Sequence, residues 1–84
     1  MIIELMHLGT KFEEYEGKRG KVSGYVANCV DADGQLDQFF RLKVERMDQL
    51  KPQEVLRVKP TRLFFMKSGS VAVEGEINPK LPAK

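Results

Sequence analysis

The sequence predicts a small all-β domain, a five-stranded antiparallel barrel of OB-like type with an SH3-like barrel as the alternative. Three observations predict it. Apolar residues recur with period two in several runs, the helical template i, i+3, i+4, i+7 finds no sustained match, and turn residues separate the runs without a crossover helix. Side chains of a strand point alternately to opposite faces, so such alternation marks segments with one buried and one solvated side.

In chain order, Met1 to Met6 reads as a first short strand and Glu13 to Gly20 as a polar, charged loop. Lys21 to Val30 sets Val22, Gly24 and Val26 against Ser23, Tyr25 and Ala27, and a glycine inside a strand points to a bulge or a sharp bend. Asp31-Ala32-Asp33-Gly34 supplies turn chemistry, with Gly34 free to take positive φ. Phe39 to Arg46 is the clearest strand: Phe40, Leu42 and Val44 share one face, and Phe39, Arg41, Lys43 and Glu45 share the other. Glu45 to Lys51 is the only helical candidate, and a short one. Val55 to Lys59 follows between Pro52 and Pro60, residues that cannot donate to a ladder interior. Arg62 to Met66 and Val71 to Ile77 flank Lys67-Ser68-Gly69-Ser70, a glycine-containing link suited to closing a hairpin. The tail Asn78 to Lys84, with Pro79 and Pro82, is expected to lie extended.

At 84 residues the chain makes one domain with a thin core. Domains of this size often lean on disulfides, a metal or a partner subunit. With Cys29 the only cysteine and His7 the only histidine, an internal disulfide and a zinc cluster are both excluded, which leaves a homodimer as the expectation. A lone thiol fits a reducing cytoplasm. No run approaches the roughly 18 apolar residues that span a bilayer, and Glu4 sits where a signal peptide carries Lys or Arg, so a soluble, unprocessed protein is expected. The net charge of +2 hides an asymmetry: residues 1–37 carry a net −3 and residues 38–84 a net +5. A basic half of this kind attracts phosphates.

Catalytic candidates are few. His7 lies in an apolar strand and reads as structural; Cys29 reads as a small buried hydrophobe; Asp31, Asp33 and Asp37 lack the glutamate that closes a calcium loop and read as a turn. No cofactor motif occurs. Gly17-Lys18-Arg19-Gly20-Lys21 lets a backbone lie close against phosphates while Lys18, Arg19 and Lys21 neutralise charge, although Glu13, Glu14 and Glu16 weaken the local field. A second candidate is an outward face carrying Arg41, Lys43, Arg57 and Lys59, with Phe39 among them. Single-stranded nucleic acid asks for cations along its backbone and flat rings under its bases, and Tyr25 and Phe39 suit the second role. Of the consecutive Phe64 and Phe65, one must point outward, as a stacking platform or a dimer contact.

Several segments share the order and spacing of a known family. They are the Met-Ile start, the basic Arg19-Gly20-Lys21 before a long strand, Cys29 to Asp31, the FFRLKV strand, Gly69-Ser70-Val71 in a hairpin, and the terminal Leu81-Pro82-Ala83-Lys84. In these the chain resembles, loosely over most of its length, the single-stranded DNA-binding (helix-destabilising) proteins of filamentous bacteriophages. The resemblance implies an OB-like five-stranded barrel, a symmetric dimer built around the hairpin near Ser68, and coating of single-stranded phage DNA during replication in a bacterial host. Binding of mRNA comes as a secondary implication. It places Arg19 and Lys21 on the family's basic loop, Tyr25 on its aromatic wing and Lys43 on its central basic strand. The sequence departs from the family in offering only Tyr25 and Tyr15 as wing tyrosines, in placing Lys67-Ser68-Gly69 where an aromatic tip is usual, and in having Gly75 where a basic residue is expected. The alternative from another class is an SH3-like module that binds an acidic protein partner or RNA.

Overall fold

The computed structural model describes residues 1–78, apart from the side chain of Tyr15. The terminal Leu-Pro-Ala-Lys and the rest of the expected tail after Asn78 lie outside the described residues. Five strands form: β1 (Ile3–Gly17), β2 (Gly20–Asp31), β3 (Phe39–Val44), β4 (Val55–Phe65) and β5 (Val71–Ile77). They close a ring in the order β1-β2-β3-β5-β4, with β4 returning to β1, so the all-β, OB-like barrel is the architecture. A ring with an odd number of strands cannot alternate direction all the way round. One neighbouring pair must therefore run parallel; it is β3 with β5, and the other four pairings are antiparallel.

The alternation seen in the sequence becomes the inside of the barrel. Leu5, Ala27, Cys29, Phe40, Leu42, Val44, Leu56, Val58, Val71 and Val73 are buried, and Leu50 joins them from the β3–β4 connection. That connection is a set of turns rather than the helix expected over Glu45 to Lys51. Leu50 must drop into the core, and Pro52 has no N–H to continue a helix. His7 pins the connection to β1. Its Nδ1 donates to the Lys51 carbonyl at 2.8 Å, its Nε2 meets the Thr10 hydroxyl at 2.8 Å, its peptide N–H donates to Glu54 O and its carbonyl accepts from Gln53 N–H. His7 is thus a structural residue, with both ring nitrogens engaged. Among the described residues, no helix is long and apolar enough to cross a membrane.

Two irregularities shape the ring. The register shifts between His7 and Gly9 in β1 and between Pro60 and Arg62 in β4, whereas Gly24, where a bend was expected, pairs regularly with Glu13. The bulge at Pro60 also joins Val55–Lys59 and Arg62–Phe65 into one bent strand instead of two. Opposite it, Gly75 lies so close that a Cβ there would collide with the Lys59 carbonyl oxygen and stand 2.8 Å from Pro60 Cα. A side chain of any kind, basic ones included, is barred from that position by backbone.

Glu13 to Gly20, expected as a loop, extends β1 and turns tightly into β2. From Phe12 outward β1 pairs only with β2, and β2 before Tyr25 pairs only with β1, so a two-stranded wing projects from the barrel. It stretches the molecule to 45 Å against 27 and 23 Å across. The β2–β3 turn has Gly34 at φ 68° as expected, while the Asp31 carboxylate accepts from the peptide N–H groups of Gln35 and Leu36, both at 3.0 Å. Asp31 is therefore a turn cap.

Candidate nucleic-acid interface

The candidate residues fall into three places. At the tip of the wing, Gly17 pairs with Gly20, leaving Lys18 and Arg19 as the turn, with Lys21 just behind and facing Glu16 across the ladder. Gly20 closes this turn at φ 114°, a conformation a side chain would strain, so a glycine after Arg19 is what holds the cations outward. Lys18, Arg19 and Lys21 are all exposed.

At the root of the wing lies a groove of about 650 Å³, between the β1–β2 ribbon on one side and the β4–β5 hairpin on the other, with Arg41 and Lys43 from β3 along it. Tyr25 lines it, half-buried, its ring meeting Phe12 edge to face at 5.4 Å between centroids. Opposite stand Arg62 and Phe64 of β4 and Met66 just past its end. The Arg62 guanidinium rests over the Phe64 ring, 4.9 Å from its centroid, an arrangement in which cation and π-face hold each other in place. Two carboxylates share the groove. Glu13 pairs with Arg41, each side chain 27% exposed, and Glu74 lies between Lys43 (3.5 Å) and Arg62 (3.8 Å). Three cations thus face two acids, and the groove keeps a single net positive charge.

The third place is separate. Arg57 and Lys59 do point outward from β4, but β5 stands between β4 and β3, so these cations do not share a face with Arg41 and Lys43. Their cross-strand neighbours are acidic, Glu4 opposite Arg57 and Glu76 opposite Lys59. The expectation of one basic face across adjacent central strands is corrected accordingly: length and alternation set each strand's faces but not which strands become neighbours. Phe39 is exposed, at the end of β3 paired with Val30, and it does not line the groove. Phe64 and Phe65 are both exposed, because β4 past its bulge leaves the closed core; alternation alone predicted one.

Sequence reasoning missed Arg62, Glu13 and Glu74 as groove residues, and offered Phe64 only as one of two possible outward rings. The signal for two of them was the hairpin register. Met66 N–H donates to Ser70 O and Gly69 N–H to Met66 O, so the link is Lys67–Gly69 with Gly69 at φ 93°, and Arg62 then faces Glu74. Taking Lys67 to Ser70 as the link instead shifts every partner by one and sets Leu63 opposite Glu74.

Cys29 is fully buried and burial pushes its thiol up to about 11, which disfavours the thiolate a nucleophile needs. Among the described residues, no group of His, Cys, Asp or Glu is placed to hold a metal ion. Compared with protein-family models, curated proteins and solved structures, the chain matches none of them.

Proposed function

We propose that the protein binds single-stranded nucleic acid, without base preference and without catalysis, along a track from the wing tip into the groove at its root. One observation carries the reading: cations and flat rings from β2, β3 and β4, which are far apart in sequence, converge on one groove beneath a cationic tip. Lys18, Arg19 and Lys21 supply the field that captures a polyanion. Arg41, Lys43 and Arg62 accompany its phosphates, and Tyr25 and Phe64 offer faces to unpaired bases, each stack contributing about 1–3 kcal/mol. A duplex hides its base faces and cannot offer them to the rings. Arg57 and Lys59 stand apart from this track, and Phe39 is at most a contact at its margin.

The protein acts as a homodimer in this reading, and what supports it is the exposed apolar pair Leu63 and Phe65, two residues apart on β4 and so on one face, with Phe65 80% exposed. Its place in the replication of phage or mobile-element DNA in a bacterial cytoplasm, with mRNA as a secondary ligand, rests on the family resemblance alone. The same apolar pair favours a second reading, a module that docks a protein partner.

A salt titration separates the two. Fluorescence anisotropy with a dT oligonucleotide, a matched RNA and a matched duplex should show single strands bound more tightly. Affinity for the single strands should fall with salt on a log–log slope of roughly 0.7 per phosphate neutralised. A flat slope, or no binding to any of the three, abandons the nucleic-acid reading in favour of protein docking.

A further inference from the structure

We propose that Glu74 is a built-in competitor of phosphate: it occupies the place between Lys43 and Arg62 where a bound backbone would sit, and a polyanion enters the groove by displacing it. The inference rests on the nucleic-acid reading above and adds the residue that limits affinity at that site.

The geometry distinguishes Glu74 from an ordinary surface acid. Its two carboxylate oxygens are divided between cations from different strands, Oε1 toward Lys43 Nζ at 3.5 Å and Oε2 toward Arg62 Nε at 3.8 Å. A phosphate bridging two cations presents oxygens in the same way. Both contacts are long, and the Lys43 and Arg62 side chains are each 66% exposed. Exposed pairs of this length are weak and screened by salt. Exchange is therefore cheap, and the released carboxylate, itself 34% exposed, has solvent to turn into. Glu13 differs. Its pair with Arg41 is the more shielded of the two and ties the wing to β3, so it holds while Glu74 exchanges.

The competition has a consequence for selectivity. With Glu74 in place the groove is close to neutral, so a ligand that touches only the tip gains little there, and a flexible strand must enter the groove fully to replace the carboxylate. Freed of it, the groove attracts any polyanion.

The test compares Glu74→Gln with Glu76→Gln, the same charge change on the same strand, two residues on, outside the groove and opposite Lys59. Anisotropy with a dT oligonucleotide and competition by inorganic polyphosphate are read at several salt concentrations, with melting curves to show that both variants fold. E74Q is expected to tighten both anions by about fivefold or more and to steepen the salt slope by roughly 0.7 for each added phosphate contact, against less than about twofold for E76Q. Equal gains from the two variants overturn the proposal, since they reduce it to net charge. No gain, or weaker binding by E74Q, overturns it as well. If E74Q tightens polyphosphate while neither protein binds dT, the competition stands and the nucleic-acid reading falls. If wild type binds dT and E74Q changes nothing, the reverse holds.

Discussion

β1 belongs to two different structures along its length. Its first part, Ile3 to His7, is laced into the barrel: Leu5 is buried, Leu5 pairs with both β2 and β4, and His7 spends every polar group on Thr10 and the 51–54 turn. Past the bulge at Gly9 the same strand has a neighbour on one side only, and Phe12 is about half exposed. A lone two-stranded ribbon is marginal in water. The barrel end therefore carries the stability, and the wing end holds charge and exposed rings out from it. A single strand serves both because the bulge turns it out of the ring at the point where burial stops.

The largest expected break in that division comes from one residue type placed in both regions. Gly75→Ala puts a methyl group against the Lys59 carbonyl and Pro60 Cα, where only backbone can give way, and should cost about 1–3 kcal/mol or more in a urea titration. Gly24→Ala, in the wing, meets nothing within 4 Å and has no left-handed φ to strain. It should leave the midpoint unchanged or raise it by up to about 1 kcal/mol, because the unfolded chain loses freedom. Equal losses from the two would mean that the wing is as tightly packed as the barrel.

How much of this could be read from the sequence follows the same line. Period-two alternation located β2, β3 and β5 closely, since one face of each is held in the core and a slip of one residue would expose it. The second half of β1 carries no such mark. Glu13, Glu14 and Glu16 look like loop residues because the wing has no buried face to demand apolar partners, and its strand character comes only from pairing with β2. The basic tip was legible because Lys18 to Lys21 are contiguous. The groove was not, because Arg62 and Glu74 meet through a hairpin register that a single turn residue decides, and because β5 inserts between β3 and β4 through long-range closure of the ring.

Cys29 sharpens the comparison by reporting on the barrel alone. Its folded pKa of about 11 lies above the ordinary 9.0 because burial disfavours the thiolate. The stability gained by keeping it protonated is full below pH 9 and drains as pH rises from 9 toward 11, where the unfolded chain ionises first. The urea midpoint of wild type should therefore fall over that window more steeply than that of Cys29→Ala. Alkylation of the native thiol at neutral pH should proceed only at the rate of global unfolding. Rapid alkylation of protein that keeps its β-sheet signal would show instead that the ring opens locally, and the barrel would lose its claim to be the rigid partner.

The smallest effect on stability is expected at the far end of the wing, where the effect on binding is among the greatest. Lys18 and Arg19 form the turn itself and make no ion pair among the described residues. Replacing both with alanine while keeping Gly20 preserves the backbone of the turn, so the melting midpoint should move by less than about 0.5 kcal/mol in equivalent stability. The same double variant removes the outermost charges that a polyanion meets first. Affinity for a dT oligonucleotide should drop, and the log–log salt slope should shrink by roughly 1.4, two phosphates' worth, with most of the loss at low salt. Surface cations elsewhere, Arg57 and Lys59, provide the control, because they lie off the groove and face Glu4 and Glu76 across their ladders. If replacing that pair lowers affinity as much as replacing Lys18 and Arg19, attraction comes from the charge of the whole molecule, and the wing has no special part in it.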